Sequence, residues 1–276
     1  MKFTKILAII LACMMLVMLA SCTPAADADE NKGAADTSVD TSADTTEDNA
    51  EGDATDVIKM ATNAYFQPYE YYDGDKIVGI DAEIAAAIAA KLGKTLVIED
   101  MAFDSIITAV KEGSVDFGMA GMTITDERLL EVDFSVSYAN GVQVIIVKEG
   151  SPITTVDDLY AEGASYKVGV QLGTTGDIYS TDDFGKDNVL TYANGNEAVL
   201  ALLGGSVDCV IIDNEPAKAL VAANEGLSIL DTSYADEDYA ICVKKGNTEL
   251  LDAIDAAIAD LTADGTIAAI VDKYIG

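Results

Sequence analysis

The chain contains no histidine and no tryptophan, and only four prolines and four cysteines among its 276 residues. Without histidine, Ser-His-Asp and Cys-His catalytic arrangements are excluded, together with the commonest zinc ligands. Any catalysis would have to rest on carboxylates, Lys or Tyr. Positive charge is scarce as well, with 16 Lys and Arg against 48 Asp and Glu and a formal charge of −32. Such a surface repels phosphate backbones and anionic membrane faces, so nucleic acid is not an expected partner. The acidity instead favours a soluble chain that stays monomeric. Asp73-Gly74-Asp75 lacks the further oxygen ligands and closing Glu of a calcium loop and reads as a turn, so no metal or other cofactor is expected.

What is present at the N-terminus is a leader. Lys2 and Lys5 precede an apolar run from Ile6 to Leu19, followed by Ala20, Ser21 and Cys22. This order reads as an export signal over residues 1–21. A spanning helix would need roughly 20 apolar residues, more than the run supplies. Leu19-Ala20-Ser21-Cys22 resembles the bacterial lipobox, in which a diacylglyceryl group is attached to the cysteine, so Cys22 is the expected lipidation site and membrane anchor. Residues 22–55 are Ala, Asp, Glu, Thr and Ser with almost no bulky apolar side chains, and cannot bury enough surface to fold. They read as a tether with an end-to-end distance of roughly 30 Å, stretched further by its carboxylates. Cys13 lies in the leader, which leaves Cys209 and Cys242 in the folded part. Each sits in an apolar run. Buried reduced thiols and, in an exported protein, a disulfide are both compatible with that placement.

The remaining roughly 220 residues suffice for one large domain or two modest ones. Within them a pattern recurs: an Ala-rich apolar helix, Gly-Ser-Val-Asp, an apolar strand, then polar residues. The first copy passes through Gly113-Ser114-Val115-Asp116 to a strand over 117–121 and delivers Thr123 and Arg128. The second passes through Gly205-Ser206-Val207-Asp208 to a strand over 209–212 and delivers Asp213. In open α/β sheets ligands sit beyond the carboxyl ends of strands, so both copies point chemistry at a cleft, one with a cation and the other with an anion. A small zwitterion is the simplest object that needs both.

Strands are expected over 57–61 and 96–99, with a hairpin over 70–72 and 77–79. Asp81 to Leu92 reads as a helix capped by Asp81, and a further helix closes at Gly113. Alternating helices and short apolar strands imply an α/β fold with largely parallel sheets covered on both faces. A composition break at Gly150-Ser151-Pro152 suggests a lobe boundary. The economical topology has two crossover strands, leaving lobe one near Val144 and returning near Ala240 within an apolar strand over 239–244. Lobe one is then 56–144 plus 239–276, with the terminal helices 250–261 and 266–274 packed on it, and lobe two is 145–238.

Several residues have two readings at this point. Arg128, at the start of a helix, is placed to grip a carboxylate through two parallel hydrogen bonds, or to pair at the surface with Glu127 or Glu131. Gly173-Thr174-Thr175-Gly176 opens another helix and offers backbone N–H groups to an anion. Asp213 is either a cleft anion or the N-cap of the helix that follows. Of Tyr65, Phe66, Tyr69, Tyr71, Tyr72 and Phe103, about four are expected in the core. Phe66 and Phe103 are the candidates for flanking a ligand.

Several blocks resemble the family 3 extracellular solute-binding proteins, the amino-acid receptors of ABC importers. They are Gly79-Ile80-Asp81-Ala82-Glu83-Ile84, Ala102-Phe103-Asp104-Ser105-Ile106-Ile107, Ala120-Gly121-Met122-Thr123-Ile124-Thr125-Asp126-Glu127-Arg128, Val132-Asp133-Phe134-Ser135 and Val168-Gly169-Val170-Gln171-Leu172-Gly173-Thr174-Thr175. The resemblance runs in order from Val57 to Gly276, and its most specific block is the one ending in Arg128. It implies a two-lobed, periplasmic-binding-protein-like fold, each lobe a sheet flanked by helices.

By the same resemblance, Arg128 would clamp a ligand α-carboxylate with the N–H groups of Thr123 and Thr175. Asp213, the Gly121 carbonyl and the Thr123 hydroxyl would hold the ammonium. Phe66 and Phe103 would sandwich the side chain, and Asn63, Gln171 and Thr174 would complete the contacts. Members that select cationic side chains often carry an acidic residue where Asn63 stands, so a Lys or Arg ligand would have to use Glu70 or Asp104 instead. The implied function is a lipid-anchored extracytoplasmic receptor that delivers an amino acid to an ABC permease. An amino-acid-sensing ectodomain, normally fused to a spanning helix and a cytoplasmic module, is the alternative. A dehydratase on the same scaffold is a third; its proton donor would be Glu70.

Overall fold

The computed structural model describes residues 56–276. The expected signal peptide, the Cys22 lipidation site and the acidic tether lie outside the described residues.

The first strand, β1 (Val57–Thr62), buries Ile58, Met60 and Ala61 and runs into a three-stranded hairpin layer of β2 (Tyr65–Phe66), β3 (Glu70–Asp73) and β4 (Lys76–Val78). Asp73-Gly74-Asp75 is part of its turn, with Gly74 in the left-handed region at φ 62°. Helix α1 (Ile80–Lys91) buries Ile80, Ile84 and Ile88, the four-residue spacing that a helical face requires. Gly79 precedes it at φ 127°, and an added Cβ there would lie 2.2 Å from the Tyr69 carbonyl oxygen. Next come β5 (Thr95–Asp100), α2 (Ile106–Glu112), β6 (Phe117–Gly118), α3 (Asp126–Glu131) and β7 (Val132–Phe134).

The chain then enters a second sheet through β8 (Ala139–Lys148), followed by β9 (Val168–Gln171), α4 (Thr175–Phe184), β10 (Val189–Tyr192), α5 (Gly195–Gly204), β11 (Cys209–Asp213), α6 (Asn214–Ala223), β12 (Leu227–Ile229) and β13 (Ala235–Tyr239). It returns through β14 (Cys242–Lys244) to the terminal helices α7 (Thr248–Ala263) and α8 (Thr266–Ile275).

The first sheet has the order β5-β1-β6-β14-β7, and the second β10-β9-β11-β8-β12 with β13 also on β8. Apolar clusters lie on both faces of each sheet, as expected for helix-covered α/β layers. The terminal helices supply Ile254, Ile258, Leu261, Ile267 and Ile270 to the cluster that includes Ile58 and Phe117 of the first sheet, where the sequence places them.

Three details depart from the expectation. The sheets are mixed rather than largely parallel, because the segments that cross between them run against their neighbours: β8 is antiparallel to β11, and β14 to β6 and β7. The change of sheet falls between Phe134 and Ala139, earlier than Val144, which already pairs with Ile212 of the second sheet. The apolar run 239–244 is two strands, not one, since Tyr239 ends a strand of the second sheet and Cys242 begins one of the first.

Both crossing segments run side by side, Ala139 opposite Tyr239, and the Tyr138 N–H donates to the Tyr239 carbonyl at 3.0 Å. Cys209 and Cys242 are buried free thiols in different sheets, each pushed up to about 12 by burial. A reactive thiolate is thereby disfavoured at both positions.

Candidate functional site

Where the two sheets face each other, a narrow crevice is lined by Asn63, Phe66, Glu70, Phe103, Ala120, Gly121, Thr123, Arg128, Gln171, Thr174, Thr175 and Asp213. All ten positions singled out from the sequence are in this set. The first sheet and its hairpin supply residues up to Arg128, and the second sheet supplies the rest. Each residue sits at a strand end, in the turn after one, or in the first turn of the helix that follows, as expected for an open α/β layer.

Arg128 is the third residue of α3, whose N-cap Thr125 accepts the Arg128 backbone N–H at 3.2 Å. Its guanidinium turns inward and is 6% exposed. Nη1 donates to the Thr123 carbonyl at 2.6 Å, Nη2 donates across the crevice to the Gly173 carbonyl at 3.1 Å, and the group lies 5.4 Å from the centre of the Phe103 ring. Among the described residues no carboxylate pairs with it within 4.0 Å; Glu131 pairs with Lys111 instead. Surface pairing is thus ruled out for Arg128, because the short helix aims it at the crevice. A buried guanidinium held by two carbonyls and a ring face keeps donors free for an anion.

Opposite it, Asp213 ends β11 at the N-cap position of α6, yet its side chain makes no capping bond. Its Oδ2 instead accepts from Gln143 Nε2 at 2.8 Å, and its Oδ1 accepts from the Tyr239 hydroxyl. Burial and the neighbouring Glu237 carboxyl push Asp213 up to about 8. Thr174 caps α4 by accepting the Asp177 N–H at 3.4 Å while its hydroxyl donates to the Gln171 carbonyl at 2.8 Å. The N–H groups of Thr175 and Gly176, in the first turn of α4, have no acceptor within the helix.

Asn63 and Gln171 join the two sides directly. Gln171 Nε2 donates to Asn63 Oδ1 at 2.9 Å, and Asn63 Nδ2 donates to the Met101 carbonyl at 2.8 Å. Phe66 contacts the apolar clusters of both sheets. Gly121 lies at φ 53°, and a Cβ on it would sit 2.7 Å from the Phe66 ring, so this turn needs glycine for both conformation and space. Of the six aromatic residues concentrated near these strand ends only Tyr69 is buried in the core, fewer than the four expected. The others line the crevice or project from the thin hairpin layer, which has one covered face.

Sequence reading missed a shell of buried polar groups behind the lining. Asp81 is not a helix cap; it lies within α1, where its Oδ2 accepts from the Gly121 N–H at 2.9 Å and from the Tyr138 hydroxyl at 2.8 Å. It thereby ties the Ala120-Gly121 turn to the crossing segment. Burial raises Asp81 to about 6, and burial together with Asp81 raises Glu70 well above the usual carboxylate range. Glu70 lines the crevice with Oε2 unpartnered. Gln143 and Glu237 join Asp213 from β8 and β13. A signal for Gln143 exists in hindsight: it interrupts the apolar run from Val142 to Val147 and is itself buried.

These shifts have a consequence for stability. An acid whose folded pKa exceeds its unfolded value stabilises the fold at low pH, and that contribution is lost as pH rises through the folded pKa. Asp81 and Asp213 therefore set a window from about pH 4, the ordinary carboxylate value, to about 8 over which the ligand-free protein should lose stability. Thermal melts across this range should show a falling melting temperature, with a shallower fall in Asp213→Asn. A flat or rising profile would contradict the assignment.

Known proteins resemble the chain in sequence and in fold. The model of the bacterial extracellular solute-binding proteins, family 3, matches residues 58–276. The chain is 32% identical over 227 residues to the putative ABC transporter arginine-binding protein 2 of Escherichia coli K12, covering 80% of this chain and 91% of that one. It is 32% identical over 225 residues to the arginine-binding extracellular protein ArtP of Bacillus subtilis 168, covering 78% and 84%. Among solved structures, an ancestral arginine-binding protein bound to glutamine superposes with a TM-score of 0.75 at 39% identity, covering 80% of this chain and 98% of that one.

Proposed function

The chain belongs to the family 3 bacterial extracellular solute-binding proteins, and from that premise we propose that it captures an amino acid in the crevice and delivers it to an ABC permease. The observation that carries the reading is the placement of Arg128 and Asp213, one from each sheet, in the lining of a single crevice. In this reading the Arg128 guanidinium holds the α-carboxylate together with the N–H groups of Thr123 and Thr175. Asp213, the Gly121 carbonyl and the Thr123 hydroxyl hold the ammonium. Phe66 and Phe103 flank the side chain, and Asn63, Gln171 and Thr174 close the rim.

Relatives named for arginine, and the unpartnered Glu70 oxygen in the lining, put a cationic side chain first among the ligands. Glu70 takes the place that an acidic residue at position 63 would otherwise fill. We take the sheets and their helices to be two lobes that hinge at the paired crossing segments. Ligand first meets Arg128 on one lobe, and closure then brings Asp213 and the Gly173-Thr174-Thr175 turn against it. Closure would be what the permease reads. Cys22 would carry the lipid that keeps the protein at the outer face of the cell membrane, the acidic segment acting as its leash. No catalytic role is assigned to the crevice.

A thermal-shift screen against the twenty standard amino acids tests the reading. A ligand present at one hundred times its Kd stabilises by about 2.7 kcal/mol, or on the order of 5–10 °C in a chain of this size. Arginine or lysine should give the largest rise. A screen in which no amino acid moves the transition would overturn the proposal.

A further inference from the structure

Behind Asp213 the crevice has a second carboxylate that the receptor reading does not use. Glu237 is 5% exposed on β13, one of the two crossing segments, and it does not line the crevice. Gln143 Nε2 donates to Asp213 Oδ2 at 2.8 Å and to Glu237 Oε2 at 3.1 Å, with the Thr175 hydroxyl oxygen at 3.4 Å. An amide nitrogen has two hydrogens, so it cannot fully satisfy three oxygens. The two carboxyls thus meet at one amide nitrogen, and Glu237 Oε1 is buried with no hydrogen-bond partner. Like charges this close in a water-poor site do not both ionise.

We propose that Glu237 makes ligand capture proton-coupled: the Asp213–Glu237 pair holds one proton in the ligand-free crevice, and the ammonium of an entering amino acid displaces it. The step balances simply. The carboxyl O–H bond breaks, its electron pair stays on oxygen, the proton leaves to water or buffer, and the ligand's N–H groups replace it as donors to Asp213. Glu237 acts through Asp213 and is a positioning residue, not a ligand contact. The inference rests on the amino-acid reading above.

The charged and titratable surroundings are compatible with this. The Tyr239 hydroxyl donates to Asp213, and Tyr69 lies near it. Asp81 on α1 adds negative charge from the first-sheet side and Glu215 from α6, while Glu70 on β3, raised well above the usual carboxylate range, stays protonated beside Asp81. Arg128 is the cation facing the pair, with Tyr179 of α4 beyond it. The surplus of carboxyls over cations favours keeping a proton until a ligand cation arrives. Burial and Glu237 hold Asp213 at about 8, so Asp213 keeps a proton at neutral pH.

The test is titration calorimetry of the full chain with L-arginine, or with the amino acid of largest thermal shift if arginine gives none, in phosphate and in Bis-Tris at pH 6 and pH 7. Proton release makes the observed heat depend on the buffer's ionisation enthalpy. The expected result is release of roughly one proton and an affinity that rises about tenfold from pH 6 to pH 7, since one proton is exchanged. In Glu237→Gln the release should fall to a small fraction, and the pH dependence should flatten to less than about twofold. In Glu215→Gln, a carboxyl near Asp213 but outside the crevice lining, both should persist, and should Glu237→Gln fold poorly the buffer dependence of the parent protein still decides. Equal heats in the two buffers, or undiminished release in a folded Glu237→Gln variant, would overturn the proposal. Absence of binding by any amino acid would overturn the receptor reading, and this inference with it.

Discussion

Arg128→Ala is expected to lose measurable amino-acid binding while its melting temperature stays within a few degrees of the parent's. The guanidinium is buried and turned into the crevice, with donors left over after the Thr123 and Gly173 carbonyls are served. Removing one partner of a desolvated charge pair costs about 2–5 kcal/mol, which is roughly 30-fold to several thousand-fold in affinity. The fold loses less. Thr123 and Gly173 keep carbonyls that water entering the vacated space can serve, and α3 retains its Thr125 cap at 3.2 Å through the backbone N–H of residue 128. Arg128→Lys should fall between the two, because it keeps the charge and loses the planar fork. Calorimetry paired with thermal melts separates the cases. Near-parental affinity in Arg128→Ala would remove this residue from the site.

The second large effect is structural. Gly79→Ala should destabilise the protein by about 3 kcal/mol or more, since the change combines a strained backbone with a backbone clash. The residue lies at φ 127°, and its Cβ would meet the Tyr69 carbonyl oxygen at 2.2 Å and the Pro68 oxygen at 2.7 Å. Those carbonyls accept the N–H groups of Asp81 and Ile80 at 2.9 and 3.0 Å, so neither can retreat without unpinning the start of α1. Asp81 would move with it and release the Gly121 turn. A fall in melting temperature on the order of 10 °C is expected. A variant with an unchanged transition would mean that the hairpin and α1 are less firmly locked than these contacts imply.

The parts of the site that could be read from the sequence share one property: they sit where a pattern stops. Arg128, Thr123, Asp213 and the Gly173-Thr174-Thr175 turn each follow an apolar strand and open a helix. Such breaks in period are visible without coordinates. The shell behind them is different. Gln143 lies within β8, and Glu237 and Tyr239 on β13; Gln143 meets Asp213 and Glu237 across 70 and 94 positions, and Tyr239 meets Asp213 across 26. Asp81 looked like a cap because it stands at the start of a helix. Its burial became evident only once Tyr138 and the Gly121 turn were placed against it.

The fold followed the same division. The alternation of helices and short strands specified two covered sheets. It could not show that the crossing segments enter antiparallel to their neighbours, since strand direction within a sheet depends on where the chain comes from. The break in the run 239–244 was hidden because both halves are apolar, and only pairing partners distinguish a strand of one sheet from a strand of the other.

One measurement addresses the central claim directly: a crystal structure of the protein with its bound amino acid. The account predicts the ligand carboxylate on the Arg128 guanidinium and its ammonium on the Asp213 carboxylate, both within hydrogen-bonding distance, in the crevice lined by Phe66 and Phe103. A ligand seated elsewhere, or one whose two charged groups both engage residues of a single sheet, would contradict it.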